Sequence, residues 1–302
     1  MLRKVVDATA GVQQLLHKIT KHRQESPIHV VCVSDTHSQN VSIPAGDLLI
    51  HAGDLTRSGK VDELQDAISW LNSHPHKYKV AIAGNADLAL DAHISPSAAK
   101  AVGWGDIIYL CGSSVTLEFG QLQGVPRTLV VYGNPHVPRC GADGQEAFQY
   151  EVNEDYWRDA IPSNADIVVT HTPPKYILDE WDGSPEGCPS LSQEIERIQP
   201  KLHVFGHVHP GHGQETLQWD HLGVEGFTLR QHYYAMKERQ SFGVAMTPGL
   251  LFKVLVALMI SIYYAILDFW IGRSRKQTTF INAACASPDG KYMKNEPTEV
   301  DI

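Results

Sequence analysis

In the stretch KVAIAGNADL, Lys79–Leu88, an apolar run stops abruptly at Gly84-Asn85 and continues with Ala86 and Asp87. A run so short and apolar, closed by glycine and asparagine, is typical of a strand buried on both faces. Five further segments follow the same plan, an apolar run and then a small polar cluster: HVVCVSDTH, DLLIHAGD, TLVVYGNP, ADIVVTHTPP and KLHVFGHVH. The chain therefore predicts an α/β fold with a largely parallel or mixed sheet.

Helical patterns and one hairpin complete this fold prediction. SGKVDELQDAISWLNSH from Ser58 and SLSQEIERIQ from Ser190 have helical periodicity. The second begins Ser-x-x-Gln, which predicts a capping box with Ser190 as the N-cap. SSVTLEFGQLQGVPRTLVVYG, residues 113–133, joins two strand-like runs across a turn and predicts a hairpin in a second sheet.

Composition limits the classes of function. With 302 residues, 43% of them hydrophobic, the chain can bury one large core. Its net charge of -9 is spread without long runs, so nucleic acid is not expected as a bulk partner. Five scattered cysteines with no C-x-x-C spacing predict reduced thiols and a cytoplasmic protein.

The polar clusters supply candidate metal ligands. In such sheets ligands bind outside the carboxyl ends of the strands, so the clusters are expected to converge. Imidazole, carboxylate and amide donors suit Mn, Fe, Zn or similar divalent ions. Residues i and i+2 of an extended chain point to the same side, and a carboxylate such as Asp54 can bridge two ions. The candidates are Asp35, His37, Asp54, Asn85, His171, His207 and His209, with Gly53, Gly84 and Gly206 beside them to let the backbone turn sharply.

Each of these residues also has an ordinary structural interpretation. A single histidine, in a chain with 16 of them, is more often a surface or hydrogen-bonded core residue than a ligand. Asp54-Leu55-Thr56 taken alone could cap a helix. Because every member directly follows a predicted buried strand, the set taken together favours the metal site.

The segments SDTH, HAGDLT, GNAD, THTPP and GHVH resemble, in order and spacing, the five motifs of the calcineurin-like metallophosphoesterases. They look most like the small MPPED-type phosphoesterases and their fungal relatives. The resemblance runs from about Val30 to about Gly213, with a weaker continuation in TTFINAA. It implies two mixed β-sheets packed face to face with helices outside, a four-layer sandwich.

The resemblance also implies the chemistry. Asp35, His37, Asp54 and His209 would hold one divalent ion, and Asp54, Asn85, His171 and His207 a second; Mn, Fe, Zn and Mg all remain candidates. The implied reaction is hydrolysis of a small phosphodiester or phosphomonoester through metal-bound hydroxide. Two cations would lower the pKa of a bound water and neutralise charge on the phosphate.

One position departs from the family pattern. Where the third motif has a histidine that protonates the leaving oxygen or binds phosphate, this chain has Ala86, with Asp87 retained beside it. Loss of a positioned general acid costs about 10²–10⁴-fold in rate, which predicts a weakened enzyme. Arg57 and His136 are candidate phosphate contacts, each with an ordinary surface or loop role as the alternative; Cys188 is interpreted as structural or as pocket wall.

Two other functions stay open: a degenerate fold that binds ligands as a regulatory or scaffolding module, and a membrane-tethered interaction protein with a purely structural metal site. The expected organisation is an amphipathic helical extension over 1–29, a phosphoesterase domain over 30–248, a hydrophobic helix over 249–276 and returning strands over 277–302. The first segment also leaves room for a mitochondrial transit peptide.

Residues 250–271, LLFKVLVALMISIYYAILDFWI, approach the length and apolarity of a membrane span. Lys253, Ser261 and Asp268 nevertheless form a narrow polar stripe on this helix. The pattern favours peripheral or monotopic attachment to the cytosolic face of a membrane, with a buried helix or a dimer interface as the alternative.

Overall fold

The computed structural model of the chain describes residues 27–122, 125–140, 146–219 and 276–302, with a few isolated positions between 220 and 275. The chain divides into two compact units, Ser26–Glu215 with Thr279–Ile302 and Met1–Glu25 with Thr216–Thr278. Every candidate site residue belongs to the former unit. The helix predicted over 1–29 lies almost wholly outside the described residues.

The first sheet has five strands, and its central strands are parallel. These strands are β1 (His29–Val33), β2 (Leu48–Ala52), β3 (Tyr78–Ile82) and β4 (Ile107–Tyr109), hydrogen-bonded in that order. At the other edge, β15 (Thr298–Asp301) pairs antiparallel with β1. β2 is buried along its whole length and β1 and β3 nearly so, which accounts for their uninterrupted apolar sequences.

The second sheet has six strands and contains the predicted hairpin. β5 (Ser113–Leu122) and β6 (Val125–Asn134) pair antiparallel, with a register shift between Glu118 and Gln121. The sheet continues from β6 through β9 (Ile167–Thr170), β12 (Leu202–Phe205) and β14 (Gln277–Asn282), all parallel, to β13 (Gly213–Gln218) at the edge. The segment TTFINAA therefore begins within a strand beside β12.

Short strands and helices complete the described fold. β7 (Val137–Pro138) pairs with β8 (Gln149–Tyr150), and β10 (Glu180–Trp181) pairs with β11 (Ser184–Pro185). The helices are α1 (Val61–Asn72), α2 (Pro96–Ala101) and α3 (Pro189–Ile198), with single 3₁₀ turns at Leu88–Leu90 and His209–Gly211.

The two sheets pack face to face. One buried apolar cluster joins Val30 and Ile50 of the first sheet to Val131, Val169 and Val204 of the second. Successive residues of a strand point to opposite faces. The other face of the first sheet is therefore formed by residues such as Val31 and Leu49, and it packs against Leu64 and Ile68 of α1. The predicted α/β fold of mixed sheets, packed together and flanked by helices, is confirmed.

The start of α3 differs from the prediction. Cys188 occupies the N-cap position with Pro189 at the first helical position, and no side chain caps the helix. Proline lacks the N–H that would be unsatisfied there, and its fixed φ suits the first turn. The capping box predicted from Ser190 is therefore wrong, because Ser190 already lies inside the helix.

The hydrophobic segment 250–271 lies mostly outside the described residues. Three positions within it are described, Val256, Met259 and Tyr263, and all three are helical. Their exposed fractions are 36%, 71% and 62%. Across the described part of the chain, no helix combines the length and the apolarity that a bilayer crossing requires.

Candidate metal centre

The candidate ligands follow the ends of five strands. Asp35 and Asp54 come two residues after β1 and β2, and Asn85 comes three residues after β3. In the second sheet His171 directly follows β9, and His207 comes two residues after β12. Because neighbouring strands in each set are parallel, these residues reach the same edge of the two packed sheets.

Four of the ligand positions have left-handed backbone geometry. The φ angles are +54° at Asp35, +44° at His37, +54° at Asp54 and +66° at His207. Such angles are uncommon outside glycine and cluster at functional sites, where the surrounding structure maintains the strain. Asp35 and His37 therefore converge through a tight turn. The expectation that these i, i+2 pairs would use extended backbone is wrong.

Two glycines make room for the carboxylates. A Cβ added at Gly84 would collide with the carboxylate and backbone amide of Asp54, and one added at Gly206 would collide with the carboxylate of Asp35. The backbone thus approaches both acids more closely than any other residue would allow. Gly84-Asn85 ends its strand because the chain must pass directly beside Asp54.

The first donor group consists of Asp35, His37 and His209, whose ligand atoms all lie within 4.8 Å of one another. His209 Nε2 lies 3.2 Å from Asp35 Oδ1 and 3.4 Å from His37 Nε2. The backbone amide of His207 also donates to Asp35 Oδ2 at 3.0 Å. The second sheet is thereby joined to the carboxylate of the first.

The second donor group consists of Asp35, Asp54 and His171, again within 4.8 Å of one another. His171 Nε2 lies 3.3 Å from Asp54 Oδ1 and 3.0 Å from Asn85 Oδ1. The ring of His207 packs against that of His171, with 5.1 Å between the centroids. The structure thus brings all seven candidate ligands to one place.

Backbone carbonyls hold the imidazole rings. His171 Nδ1 donates to Ala52 O at 2.8 Å, and His209 Nδ1 donates to Ser287 O at 2.8 Å. A proton on Nδ1 leaves Nε2 free as a ligand atom, the usual outer support of a metal-binding histidine. The Ser287 contact was missed by sequence reasoning, since a carbonyl 78 residues away produces no local pattern.

The site concentrates buried negative charge. Asp35 and Asp54 are 0% and 3% exposed, and their ion pairs within the described chain are with histidines alone. Burial opposes ionisation, but His209 beside Asp35 and His171 beside Asp54 lower the pKa of each carboxyl. Burying carboxylates is costly without a cation, and carboxylate, imidazole and amide donors are those that divalent ions prefer. The residues therefore fit a metal centre.

The histidines divide into two electrostatic types. Burial disfavours the charged form of His171, yet the carboxylates of Asp54 and Asp35 overcome this and raise its pKa to about 10. Burial lowers the pKa of His207 to about 4, which keeps that ring neutral. The carboxylates thus stabilise positive charge at His171, a charge that a bound cation would replace, while the ring of His207 is already in the neutral ligand form.

Ala86 and Asp87 have structural contacts at the centre. The Ala86 amide donates to Asp54 Oδ1 at 2.8 Å, so its backbone steadies that carboxylate. Asp87 is buried, and its carboxylate accepts hydrogen bonds from the amides of Gly84, Leu55 and Thr56. Burial and the nearby charge of Asp54 raise the pKa of Asp87 to about 6.

Arg57 and His136, the predicted phosphate contacts, each have a hydrogen-bond partner within the described fold. The Arg57 guanidinium donates to Gly290 O at 2.5 Å, and neither Arg57 nor His136 lines the cavity at the centre. His136 Nδ1 bonds Asn134 Oδ1 at 2.8 Å, and its ring stacks on Tyr156. Cys188 is buried in the cavity wall, where its sulfur accepts from Tyr150 Oη at 3.1 Å.

A cavity of about 1080 Å³ opens over the ligands. The residues that line it include the ligands Asp54, Asn85 and His207, and also Arg139, Glu146, Lys175 and Trp181. Trp181, on β10, is 41% exposed. The cavity therefore has room for an organic group as well as for a phosphate.

Comparison with known proteins identifies the class. The family profile described as calcineurin-like phosphoesterase matches residues 28–211. That match covers more than half of the chain and includes every candidate ligand. The chain belongs to the calcineurin-like phosphoesterase family.

Several curated proteins are similar to the chain. The Emericella nidulans protein named probable rhamnogalacturonate lyase C is 40% identical over 207 residues, which is 67% of this chain and 19% of that protein. UPF0046 protein K07C11.7 of Caenorhabditis elegans is 37% identical and covers 62% of this chain. Human metallophosphoesterase domain-containing protein 1 is 34% identical and covers 61% of it. The matches span 65% and 61% of these last two relatives, so in all three the chain spans less than two thirds of their length.

Proposed function

We propose that the chain is a divalent-metal-dependent phosphoesterase that hydrolyses a phosphodiester or a phosphomonoester. One observation carries the proposal: the two carboxylate oxygens of Asp54 face different imidazoles. Oδ1 lies 3.3 Å from His171 Nε2, and Oδ2 lies 3.8 Å from His37 Nε2. A carboxylate placed in this way could offer one oxygen to each of two ions, an arrangement that suits two-metal phosphate hydrolysis.

Seven side chains would hold the two ions. One set is Asp35, His37, Asp54 and His209; the other is Asp54, Asn85, His171 and His207. When bound, two divalent cations supply an acidified water and neutralise the phosphate oxygens. The protein fixes the donors by burial and by the carbonyls of Ala52 and Ser287. The ions therefore meet a preorganised site.

The cavity and Ala86 bear on the substrate. A cavity of about 1080 Å³ is far larger than a phosphate needs, which favours an ester with an organic substituent. A methyl group at residue 86 cannot give a proton to the departing oxygen. Substrates with good leaving groups, which need little protonation, are therefore the ones this site would serve.

The test is hydrolysis of bis(p-nitrophenyl) phosphate with added Mn²⁺, with an Asp54→Ala preparation as the blank. Nitrophenolate leaves readily, so the assay does not depend on a general acid. Turnover above the blank supports the proposal. Protein with two bound metal equivalents and no turnover would refute it and favour the alternative, a catalytically degenerate fold that binds phosphorylated ligands.

Attachment to a membrane surface is a second part of the proposal. Val256, Met259 and Tyr263 recur at spacings of three and four residues, so they share one helix face, and all three are exposed. Large apolar side chains exposed along one face suit a helix lying in a membrane interface. Five free cysteines are compatible with attachment on the cytosolic side.

Vesicle flotation tests the attachment. The full chain is expected to float with vesicles containing anionic lipid, and a Met259→Ser/Tyr263→Ser variant to float less. Deletion of residues 250–271 should leave the protein at the bottom of the gradient. Equal flotation of the folded deletion variant would contradict the idea, and dimerisation of the full chain without flotation would identify an interface between copies instead.

A further inference from the structure

The side-chain amide of Asn85 has a partner at each end. Its carbonyl oxygen, Oδ1, lies 3.0 Å from His171 Nε2 within the metal centre. Its amino group, Nδ2, donates to Glu146 Oε2 at 2.6 Å. Glu146 comes from the chain between β7 and β8, far from Asn85 in sequence, and it lines the cavity.

The direction of this amide matters for metal binding. An asparagine binds a metal only through its carbonyl oxygen, while its NH₂ group offers two donors and no lone pair. A flip of the side chain would therefore replace a ligand atom with a group that repels a cation. Something must hold the amide in one direction, and an acceptor facing Nδ2 does so.

Glu146 is suited to this task for two reasons. An ionised carboxylate offers acceptors only, so a flipped Asn85 would bring two oxygens together. The hydrogen bond is also charge-assisted, and such bonds are about twice as strong as neutral ones. Such a bond polarises the amide and increases electron density on Oδ1, the atom that would bind the ion.

The same stretch of chain also holds the Asn85 backbone. The amide of Ala147 donates to Asn85 O at 2.9 Å, and Ala147 is fully buried. Cys140 Sγ also donates to Glu146 Oε2, at 3.3 Å. Backbone and side chain of Asn85 are thus both fixed by Glu146-Ala147.

We infer that Glu146 is a positioning residue for the metal centre, which orients Asn85 Oδ1 toward the ion bound with His171 and His207. The inference rests on the proposed function for the identity of that ion. Loss of an outer partner of a metal ligand typically costs about 10–100-fold in metal affinity or activity. The effect should fall on one of the two ions, because Asn85 belongs to one set of ligands.

Metal titration tests this role without reference to turnover. Calorimetry with Mn²⁺ on the full chain should give two binding events, and Glu146→Ala should weaken one of them by about 10–100-fold. Glu146→Gln keeps a neutral acceptor for Nδ2, so it should lose less affinity than Glu146→Ala. Glu154→Gln is the matched control: it removes a carboxylate from the same cavity wall, has no described contact with Asn85 and should leave both dissociation constants unchanged.

Three results would overturn the inference. Unchanged affinity for both ions in folded Glu146→Ala would show that Asn85 needs no support. Complete loss of one bound metal ion in both Glu146→Ala and Glu146→Gln would show that Glu146 is itself a metal ligand. If Glu154→Gln weakened metal binding as much as Glu146→Ala does, the effect would come from the overall negative charge of the cavity lining.

The outcome is separable from that of the proposed function. A wild-type protein that binds two ions without hydrolysing esters would refute the phosphoesterase proposal, while the metal affinities would still decide the role of Glu146. If hydrolysis is found, Glu146→Ala should lower kcat more than it raises KM, because it acts through the metal. A change in KM alone would place Glu146 at the substrate and overturn the positioning role.

Discussion

Asp87 holds Thr56 by two hydrogen bonds: the amide of Thr56 lies 2.8 Å and its hydroxyl 2.7 Å from Asp87 Oδ1. The other oxygen of Asp87 accepts from the amides of Gly84 at 2.8 Å and Leu55 at 3.2 Å. One buried carboxylate therefore joins the loop that carries Asp54 to the loop that carries Asn85. The acid beside Ala86 has a structural role, since its side-chain hydrogen bonds within the described residues go to backbone amides and to the Thr56 hydroxyl.

Asp87→Ala should destabilise the protein strongly. The change leaves buried amides at Gly84, Leu55 and Thr56 without an acceptor, and each unsatisfied group costs about 1–3 kcal/mol. We expect a loss of about 3 kcal/mol or more in the free energy of unfolding, measured with urea. Asp106→Ala, on an exposed acid, is the control. Equal stability of the two variants would contradict the role given to Asp87.

Asp54→Ala should remove both metal ions. The two oxygens of Asp54 face the separate imidazoles of His37 and His171. Loss of the side chain should therefore remove one ligand from each ion. Metal content, measured by mass spectrometry on protein dialysed against Mn²⁺, should fall from two equivalents to none at micromolar free metal. Asp155→Asn, a change at another residue that lines the cavity, should retain both ions. Two equivalents retained by Asp54→Ala would refute the bridging position.

Gly84→Ala should damage the centre through crowding alone. Its new methyl group would overlap the carboxylate and amide of Asp54, and overpacking of this kind costs about 1–3 kcal/mol. Gly103→Ala is the matched change, since nothing lies within 4 Å of a Cβ at that position. Thermal melts and metal content should separate the two variants. A Gly84→Ala protein that melts and binds metal like the Gly103→Ala protein would show that the close approach is unnecessary.

The two β-sheets and the convergence of the candidate metal ligands could be predicted from the sequence. β2 is buried along its length, and β1 and β3 nearly so. Burial explains their apolar sequences, and a polar cluster follows the end of each strand. Parallel order then brings those ends together. The chemistry of Asp54 and His171 follows from this placement, which is why a few short motifs carried the prediction.

Other features have no local signal. Asp35 and His207 have positive φ just after β1 and β12, and neither residue type requires it. The carbonyl of Ser287 and the carboxylate of Glu146 meet His209 and Asn85 only in the folded chain. Arg57 stays a candidate phosphate contact, and no local pattern indicates that its guanidinium bonds Gly290 O, an acceptor 233 residues away. Such long-range pairings depend on tertiary structure.

His29 should make the docking of β15 sensitive to pH. Its ring nitrogens lie 2.8 Å from Asp301 and 2.8 Å from Glu299, and these hydrogen bonds raise its pKa. The contribution of these hydrogen bonds to the free energy of unfolding is therefore fully present below pH 6.5, the pKa of His29 in the unfolded chain. It is lost as the pH rises through the higher pKa of the folded state. Since the pair is exposed, it is worth at most about 1 kcal/mol.

Melting curves of the wild type and His29→Gln check this sign. The wild type should melt higher by a few degrees at pH 5.5, and the difference should vanish at alkaline pH. His93→Gln, on a loop, serves as the matched substitution. A difference that grows with pH would mean that His29 contributes through its neutral form.

Ala86→His should restore proton donation to the leaving oxygen. The residue lies between Asn85 and Asp87, and its amide already contacts Asp54 Oδ1, so a side chain at this position starts beside the metal ligands. We expect turnover of a phenyl phosphodiester, whose phenolate is a poor leaving group, to rise by about 10²-fold or more. Turnover of bis(p-nitrophenyl) phosphate should rise far less, because nitrophenolate needs little protonation. Ala86→Gln adds similar bulk without a transferable proton and should leave both rates low. Equal acceleration of the two substrates by Ala86→His, or any acceleration by Ala86→Gln, would mean that residue 86 acts by filling space and that the missing acid does not limit the reaction.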